Sequence, residues 1–205
     1  TITEDSNPAD GVISKAELVG EIDVSVELPA GAVKGDTITV SDGTTDKEIE
    51  LTDAHIDAGN VTTTFPSPGE GNEIEVTATL TDQYGNTSAP GKDSATVDTL
   101  AGDTNAAPTV TITEDSNPAD GVISKAELVG EIDVSVELPA GAVKGDTITV
   151  SDGTTDKEIE LTDAHIDAGN VTTTFPSPGE GNEIEVTATL TDQYGNTSAP
   201  GKDSA

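Results

Sequence analysis

The chain has 205 residues, with 40 acids against 8 lysines, no arginine, and a formal charge of −32. Cysteine, tryptophan and methionine are absent, and the aromatic residues are two phenylalanines and two tyrosines. Disulfides are thereby excluded, and nucleic acid and anionic membrane are poor partners, because both bind basic surface.

Thr1–Ala95 is identical, letter for letter, to Thr111–Ala205, a period of 110 residues, with Thr96–Val110 as the connector. Exact repetition at domain length points to an array whose function lies in the copies. The expected layout is a first module over 1–98, a linker over 99–107 and a second module over 108–205 with a truncated C-terminal strand. The chain reads as a piece of a longer array.

Within a module the hydrophobic period is two nearly throughout, which is the strand signature. Ile2 opens the first strand, as Val110 does in the second copy. Ile22, Val24, Val26 and Leu28 alternate with polar residues, followed by Ile38 and Val40, then Ile49 and Leu51. Val61, Thr63 and Phe65 come next, then the long run Ile74, Val76, Ala78 and Leu80, and finally Ala95 and Val97. Ser14–Leu18 and Thr52–Ala58 are the segments with helical-turn character. Turns at Pro29-Ala30-Gly31, Asp42-Gly43, Gly59-Asn60, Pro66–Gly69 and Tyr84-Gly85-Asn86 separate the strands. About seven short strands in a hundred residues predict an all-β chain, two tandem immunoglobulin-like β-sandwich domains with antiparallel strands. A core of Val, Ile, Leu and Ala is thin for this size and calls for a staple, and without cysteine a metal is the natural one.

The sharpest local signal is Glu4–Glu17. Asp5, Asn7, Asp10-Gly11 and Glu17 approach the calcium-loop pattern D-x-[DN]-x-[DN]-G-x5-E, with one extra residue at Pro8-Ala9. Calcium takes 6–8 hard oxygens, and a loop gathers them only by turning sharply at a glycine. The Val12 carbonyl is a further candidate ligand. The second copy offers Asp115, Asn117, Asp120, Val122 and Glu127. The alternative is a polar turn with solvated acids. At the junction, Asp98, Asp103 and Asn105 precede Pro108, a spacing loosely like the calcium linkers of cadherins. Asp82 and its copy Asp192 lie in the turn expected to face the linker. The alternative there is a plain flexible linker.

Other clusters carry less. Asp42–Asp46 reads as a hairpin turn, and Asp53-x-His55-x-Asp57 as a surface helical turn despite its metal-like spacing. Glu48, Glu50, Glu73 and Glu75 alternate on exposed faces without an aromatic platform. No nucleophile elbow or phosphate loop occurs, so no enzyme is expected. The Val61–Thr64 run is too short for an ice-binding array.

Taken together, Asp5–Glu17, Thr81-Asp82-Gln83-Tyr84-Gly85-Asn86-Thr87-Ser88, Asp98-Thr99 and Asn105–Val110 resemble the immunoglobulin-like extender repeats of giant RTX adhesins of Gram-negative bacteria. The resemblance implies an extracellular spacer at the bacterial cell surface, with roles in adhesion and biofilm, and with calcium within modules and at junctions. It implies neighbouring identical modules as partners, a monomeric chain and no membrane contact by this stretch. A ten-residue strand spans ~33 Å, so each module and linker would add about 40 Å. Two rival expectations are a multivalent carbohydrate- or surface-binding sandwich, and an acidic surface adapted to salt with little specific metal.

Overall fold

A computed structural model describes residues 1–6, 9–116 and 119–205. It divides into two compact units, Thr1–Thr99 and Leu100–Ala205.

The first unit contains strands β1 (Val12–Ser14), β2 (Ile22–Glu27), β3 (Thr37–Ser41), β4 (Asp46–Glu50), β5 (Asn60–Phe65), β6 (Glu73–Thr81) and β7 (Gly91–Asp98), with helix α1 (Asp53–Ala58) between β4 and β5. One sheet has the order β1-β7-β6-β3-β4, and the other pairs β2 with β5. Ile22, Val24, Val61 and Phe65 of the small sheet meet Ile38, Val40, Ile74, Val76, Ala95 and Val97 of the large one in a single buried cluster. This is the expected all-β sandwich. The ring of Phe65 is fully buried with Lys47 Nζ 5.0 Å from its centre, so a lysine stem closes the core edge that other proteins close with more aromatics.

The helical turn expected at Thr52–Ala58 is a capped helix. Thr52 Oγ1 accepts from the His55 backbone N–H, His55 Nδ1 accepts from the Thr52 N–H, and Gly59 ends the helix at φ 72°. The His55 side chain thus completes the capping box opened by Thr52. The Asp42 hairpin is also as expected. Asp42 Oδ1 accepts from Thr44 N, Thr44 Oγ1 and Thr45 N at 2.9, 2.8 and 2.7 Å.

Two expectations need correction. The strands are not all antiparallel: β1 runs parallel to β7, pairing Val12 with Thr96, Ile13 with Val97 and Ser14 with Asp98. Ile2 forms only an isolated bridge to Val24 rather than a strand.

The second unit contains β8 (Thr109–Ile112), β9 (Ile132–Glu137), β10 (Thr147–Ser151), β11 (Asp156–Glu160), α2 (Asp163–Ala168), β12 (Asn170–Phe175), β13 (Glu185–Thr191) and β14 (Gly201–Ser204). Its sheets are β11-β10-β13-β14 and β12-β9-β8. The segment expected as a linker belongs mostly to this unit. Thr99 bonds to Glu70 of the first unit through both its N–H (2.9 Å) and its hydroxyl (2.7 Å). From Leu100 onward the chain packs onto the second unit, where Ala101 is fully buried in the core cluster.

Candidate metal centres

The Asp5 loop is held by its own backbone. Asp5 Oδ1 and Oδ2 accept from Asp10 N (2.9 Å) and Gly11 N (3.0 Å), and Asp10 Oδ1 accepts from Val12 N (3.0 Å). Gly11 takes φ 83°, the left-handed region that a glycine enters without a Cβ clash. The second copy repeats the pattern: Asp115 accepts from Asp120 N and Gly121 N at 3.0 and 2.9 Å, and Asp120 from Val122 N at 3.2 Å. Asn7 and Asn117 lie outside the described residues. Glu17 accepts from Ser14 N (3.0 Å) and Ser14 Oγ (2.7 Å), closing the turn Ser14–Leu18; Glu127 accepts from Ser124 N at 2.8 Å. Val12 is the first residue of β1, whereas Val122 is exposed in a loop.

The turn carboxylate Asp82 accepts from Tyr84 N, Asn86 N and Asn86 Nδ2 at 2.9, 2.8 and 2.7 Å. These bonds, the Asn86 side chain first, hold it below the usual aspartate range. Asp192 has the same three partners at 2.8, 2.9 and 2.7 Å.

The junction residues are split. Asp98 ends β7 in the first unit, while Asp103 and Asn105 belong to the second. Asp103 donates its N–H to the Ala140 carbonyl (3.0 Å), and its carboxylate lies against the α-carbon of Gly141, where a side chain would collide with it. Asn105 takes φ 60°. Its Oδ1 accepts from Ala101 N (3.1 Å) and its carbonyl from Ala199 N (3.2 Å), so it fixes the connector in place.

One acid stands out that the sequence reading passed over. Asp146, and Asp36 in the first unit, are 1% and 3% exposed. Oδ2 of each accepts from a backbone N–H, of Val143 at 2.9 Å and of Val33 at 3.0 Å, while Oδ1 of each is buried with no hydrogen-bond partner. A buried carboxylate oxygen without a partner is costly. Burial first, and the charge of Asp192 in addition, raise Asp146 above its ordinary range against the pull of the Val143 N–H. Asp146 and Asp103 thus both brace the loop over 139–146. The polar stretch Lys34-Gly35-Asp36-Thr37 carries no signature of this burial.

Two further acids act structurally. Asp93 Oδ2 accepts from Ile2 N at 2.8 Å and Asp203 Oδ2 from Ile112 N at 2.8 Å, tying the first segment of each unit to the opposite sheet. Glu4 Oε2 accepts from Asp23 N at 2.7 Å, and burial raises this carboxyl. Among the described residues no three acid or histidine side chains converge on one point. A calcium site here would therefore combine one or two carboxylates with amide or main-chain oxygens, a donor set calcium accepts. The partnerless oxygen of Asp146 beside the charge of Asp192 fits a cation of this kind.

No helix among the described residues is long and apolar enough to cross a membrane. No family model and no curated protein matches the chain. Solved structures do. A structure from a 1.5-MDa bacterial ice-binding adhesin is 22% identical with a TM-score of 0.50, over 97% of this chain and 60% of that one. A tetra-tandem repeat from the extending region of a large adhesion protein is 18% identical over 96% of this chain and 46% of that one, with a TM-score of 0.32. The fibronectin type III-like modules of Clostridium thermocellum CbhA are 14% identical over all of this chain and 91% of theirs, with a TM-score of 0.44. This chain thus spans less than two thirds of the adhesin structure, and what it shares with that structure is the fold of tandem immunoglobulin-like sandwiches.

Proposed function

We propose that this chain is a non-enzymatic structural extender, a run of spacer modules in a bacterial cell-surface adhesin, stiffened by calcium. The observation that carries the reading is the connector. A spacer must transmit position from one module to the next, and here residues 100–108 are built into the following unit through buried Ala101, the Asp103–Ala140 bond and the Asn105–Ala199 bond. Thr99 is fastened to Glu70 within the first unit, and the second unit begins at Leu100.

Calcium enters through charge. A chain at −32 repels itself. A cation beside Asp146 and Asp192 would cancel the penalty of the partnerless oxygen and brace the loop on which the connector rests. Asp98, Asp103 and Asn105 are the candidate donors of the connector itself. In each module Asp5, Asp10 and Glu17, or Asp115, Asp120 and Glu127, form the second candidate group. The rival reading, a multivalent carbohydrate- or surface-binding module, has little aromatic surface to use: Phe65 and Phe175 are core residues, which leaves Tyr84 and Tyr194.

Calcium titration by calorimetry, with melting followed at constant ionic strength, tests this. Saturable binding with a higher melting temperature is expected. Heats and melting that magnesium or sodium reproduce would leave only charge screening and reject the calcium-specific reading.

A further inference from the structure

In each unit two strand edges lie side by side. β4 is an edge of the large sheet, and β5 pairs with β2 alone among the described strands; β11 and β12 are edges in the same way. The Gly59 carbonyl accepts from Leu28 N (2.9 Å), so by antiparallel alternation Asn60, Thr62 and Thr64 turn their N–H and C=O groups away from β2. The Asp36 carbonyl accepts from Leu51 N (2.8 Å), and by the same rule Asp46, Glu48 and Glu50 present the outward groups of β4. The two edges differ in charge. β4 has a carboxylate at all three outward positions. β5, Asn60-Val61-Thr62-Thr63-Thr64-Phe65, has neither charge nor proline, the composition from which strands add to one another. β3 is also uncharged, but it is paired on both sides. Lys47 supplies the charge that β5 lacks. It pairs with the fully buried Val40, so its stem lies on the core side of β4. Its Nζ donates to the Thr64 carbonyl at 2.5 Å, one of the outward groups of β5, while the Thr64 hydroxyl donates to Glu21 at 2.5 Å. The second unit repeats both bonds, Lys157 to the Thr174 carbonyl at 2.6 Å and the Thr174 hydroxyl to Glu131.

We infer that Lys47 and Lys157 are gatekeepers, which hold β5 and β12 against strand addition by a second copy of this chain. The strand they exclude is β5 or β12 itself, running antiparallel. Two such edges set threonines opposite threonines, whereas two β4 edges would set carboxylates opposite carboxylates and repel. An added strand on β5 needs the Thr64 carbonyl. Taking it would leave the Lys47 ammonium beside Phe65 without its acceptor and covered from water, a strongly unfavourable state for a charge. The stem over Phe65 keeps the ammonium in place, since the ring attracts it and the core edge holds its methylenes. Because the two modules are identical, every molecule carries this edge twice, and pairing between like modules is the characteristic failure of repeat proteins. The guard acts without a bound cation, so it stands or falls separately from the calcium reading.

The test uses the full 205-residue chain with Lys47→Met and Lys157→Met together, which keeps an apolar stem over each phenylalanine and removes the charge. Sedimentation equilibrium at constant ionic strength should show the unaltered chain monomeric and the double variant self-associating at least about tenfold more tightly, as expected when a desolvated charge leaves an interface. The substitutions make the chain still more negative, so general charge repulsion works against this outcome. Amide exchange at Thr62 and Thr172 should slow with concentration in the variant alone. Adding Thr62→Lys and Thr172→Lys at these exposed outward positions should restore the monomer. Should the methionine pair fail to fold, Lys47→Gln with Lys157→Gln keeps a donor for each threonine carbonyl and is read by the same criteria. A folded double variant that stays monomeric at millimolar concentration with unchanged exchange would overturn the assignment. So would association that the added lysines leave intact.

Discussion

Residues 12–14 and 122–124 have the same sequence, Val-Ile-Ser, on the same flank, yet the first is strand β1 and the second is a loop. Ile13 is fully buried and Ser14 nearly so, whereas Ile123 is half-buried and Ser124 exposed. Just before them the two copies share one feature: Asp5 and Asp115 gather the same two N–H groups. The short-range carboxylate turn is therefore autonomous, whereas the strand exists only where Thr96–Asp98 pair with it. Three residues of β-propensity do not make a strand without a partner.

The other end of the module reverses the roles. Tyr84, Asn86 and Ser88 are exposed in the first unit. Their copies are more enclosed, next to the Ala199–Asn105 bond: Asn196 and Ser198 are buried, and Tyr194 falls to 42% exposed from the 88% of Tyr84. Leu190 and Ala188 are fully buried where Leu80 and Ala78 are half-buried. Each unit is more deeply buried at the end that packs against a further segment of chain.

Paired substitutions break this comparison most strongly at the isoleucines. Ile13→Ala should cost roughly 3 kcal/mol and Ile123→Ala about 1 kcal/mol, since only the first is fully enclosed. Denaturant unfolding of the two variants, with amide exchange assigning the unit affected, measures the difference; equal losses would contradict the role given to β7. Gly201 and Gly91 come next. A Cβ on Gly201 would strike the Pro108 carbonyl, while one on Gly91 meets nothing. Gly201→Ala should therefore cost about 2 kcal/mol by overpacking, and Gly91→Ala should be neutral or slightly stabilising.

A smaller effect is expected at Asp146. Asp146→Asn should raise stability in chelator by about 1 kcal/mol, because a buried charge with a partnerless oxygen is removed. The same substitution should reduce the stabilisation that calcium gives. A variant less stable in chelator and unchanged in its calcium response would show the carboxylate to be purely structural.

The smallest effect is in pH. Glu4 and Asp146 are raised above their ordinary values of 4.5 and 3.8, so in chelator their ionised forms oppose folding, and this penalty is relieved as pH falls through their raised values. Asp42, Asp82 and Asp152 are lowered from 3.8. Hydrogen bonds lower Asp42 in spite of its desolvation, and the side chains of Asn86 and Thr154 lead for the other two. Their contribution is present above 3.8 and lost only as pH falls through their lower folded values. Melting should thus hold or rise on mild acidification before falling at strong acid, and Asp146→Asn should blunt the rise.

The sandwich was legible because alternation in Ile22–Leu28 and Ile74–Leu80 states which face is buried, and because Asp42-Gly43 and Gly59-Asn60 mark chain reversals. The parallel β1–β7 pair was not legible, since its three residues lie inside a stretch whose acids suggested a loop and its partner is more than eighty residues away. Asp5 and Asp10 drew attention by spacing and Asp82 by its turn near the connector; the structure gives each a turn to hold. Asp36 and Asp146 escaped because burial of an acid cannot be read from a polar segment. The connector looked like a linker because Gly102, Asp103 and Asn105 are linker residues by composition. What makes it part of a unit is one left-handed asparagine and one buried alanine, neither of which has a compositional signature.

The most direct test of the extender account is small-angle scattering of the 205-residue chain in calcium and in chelator at one ionic strength, with melting followed in parallel. A stiffened spacer predicts a greater maximum dimension, a narrower distribution of inter-unit distances and a higher melting temperature in calcium. Superimposable profiles with unchanged melting would contradict it.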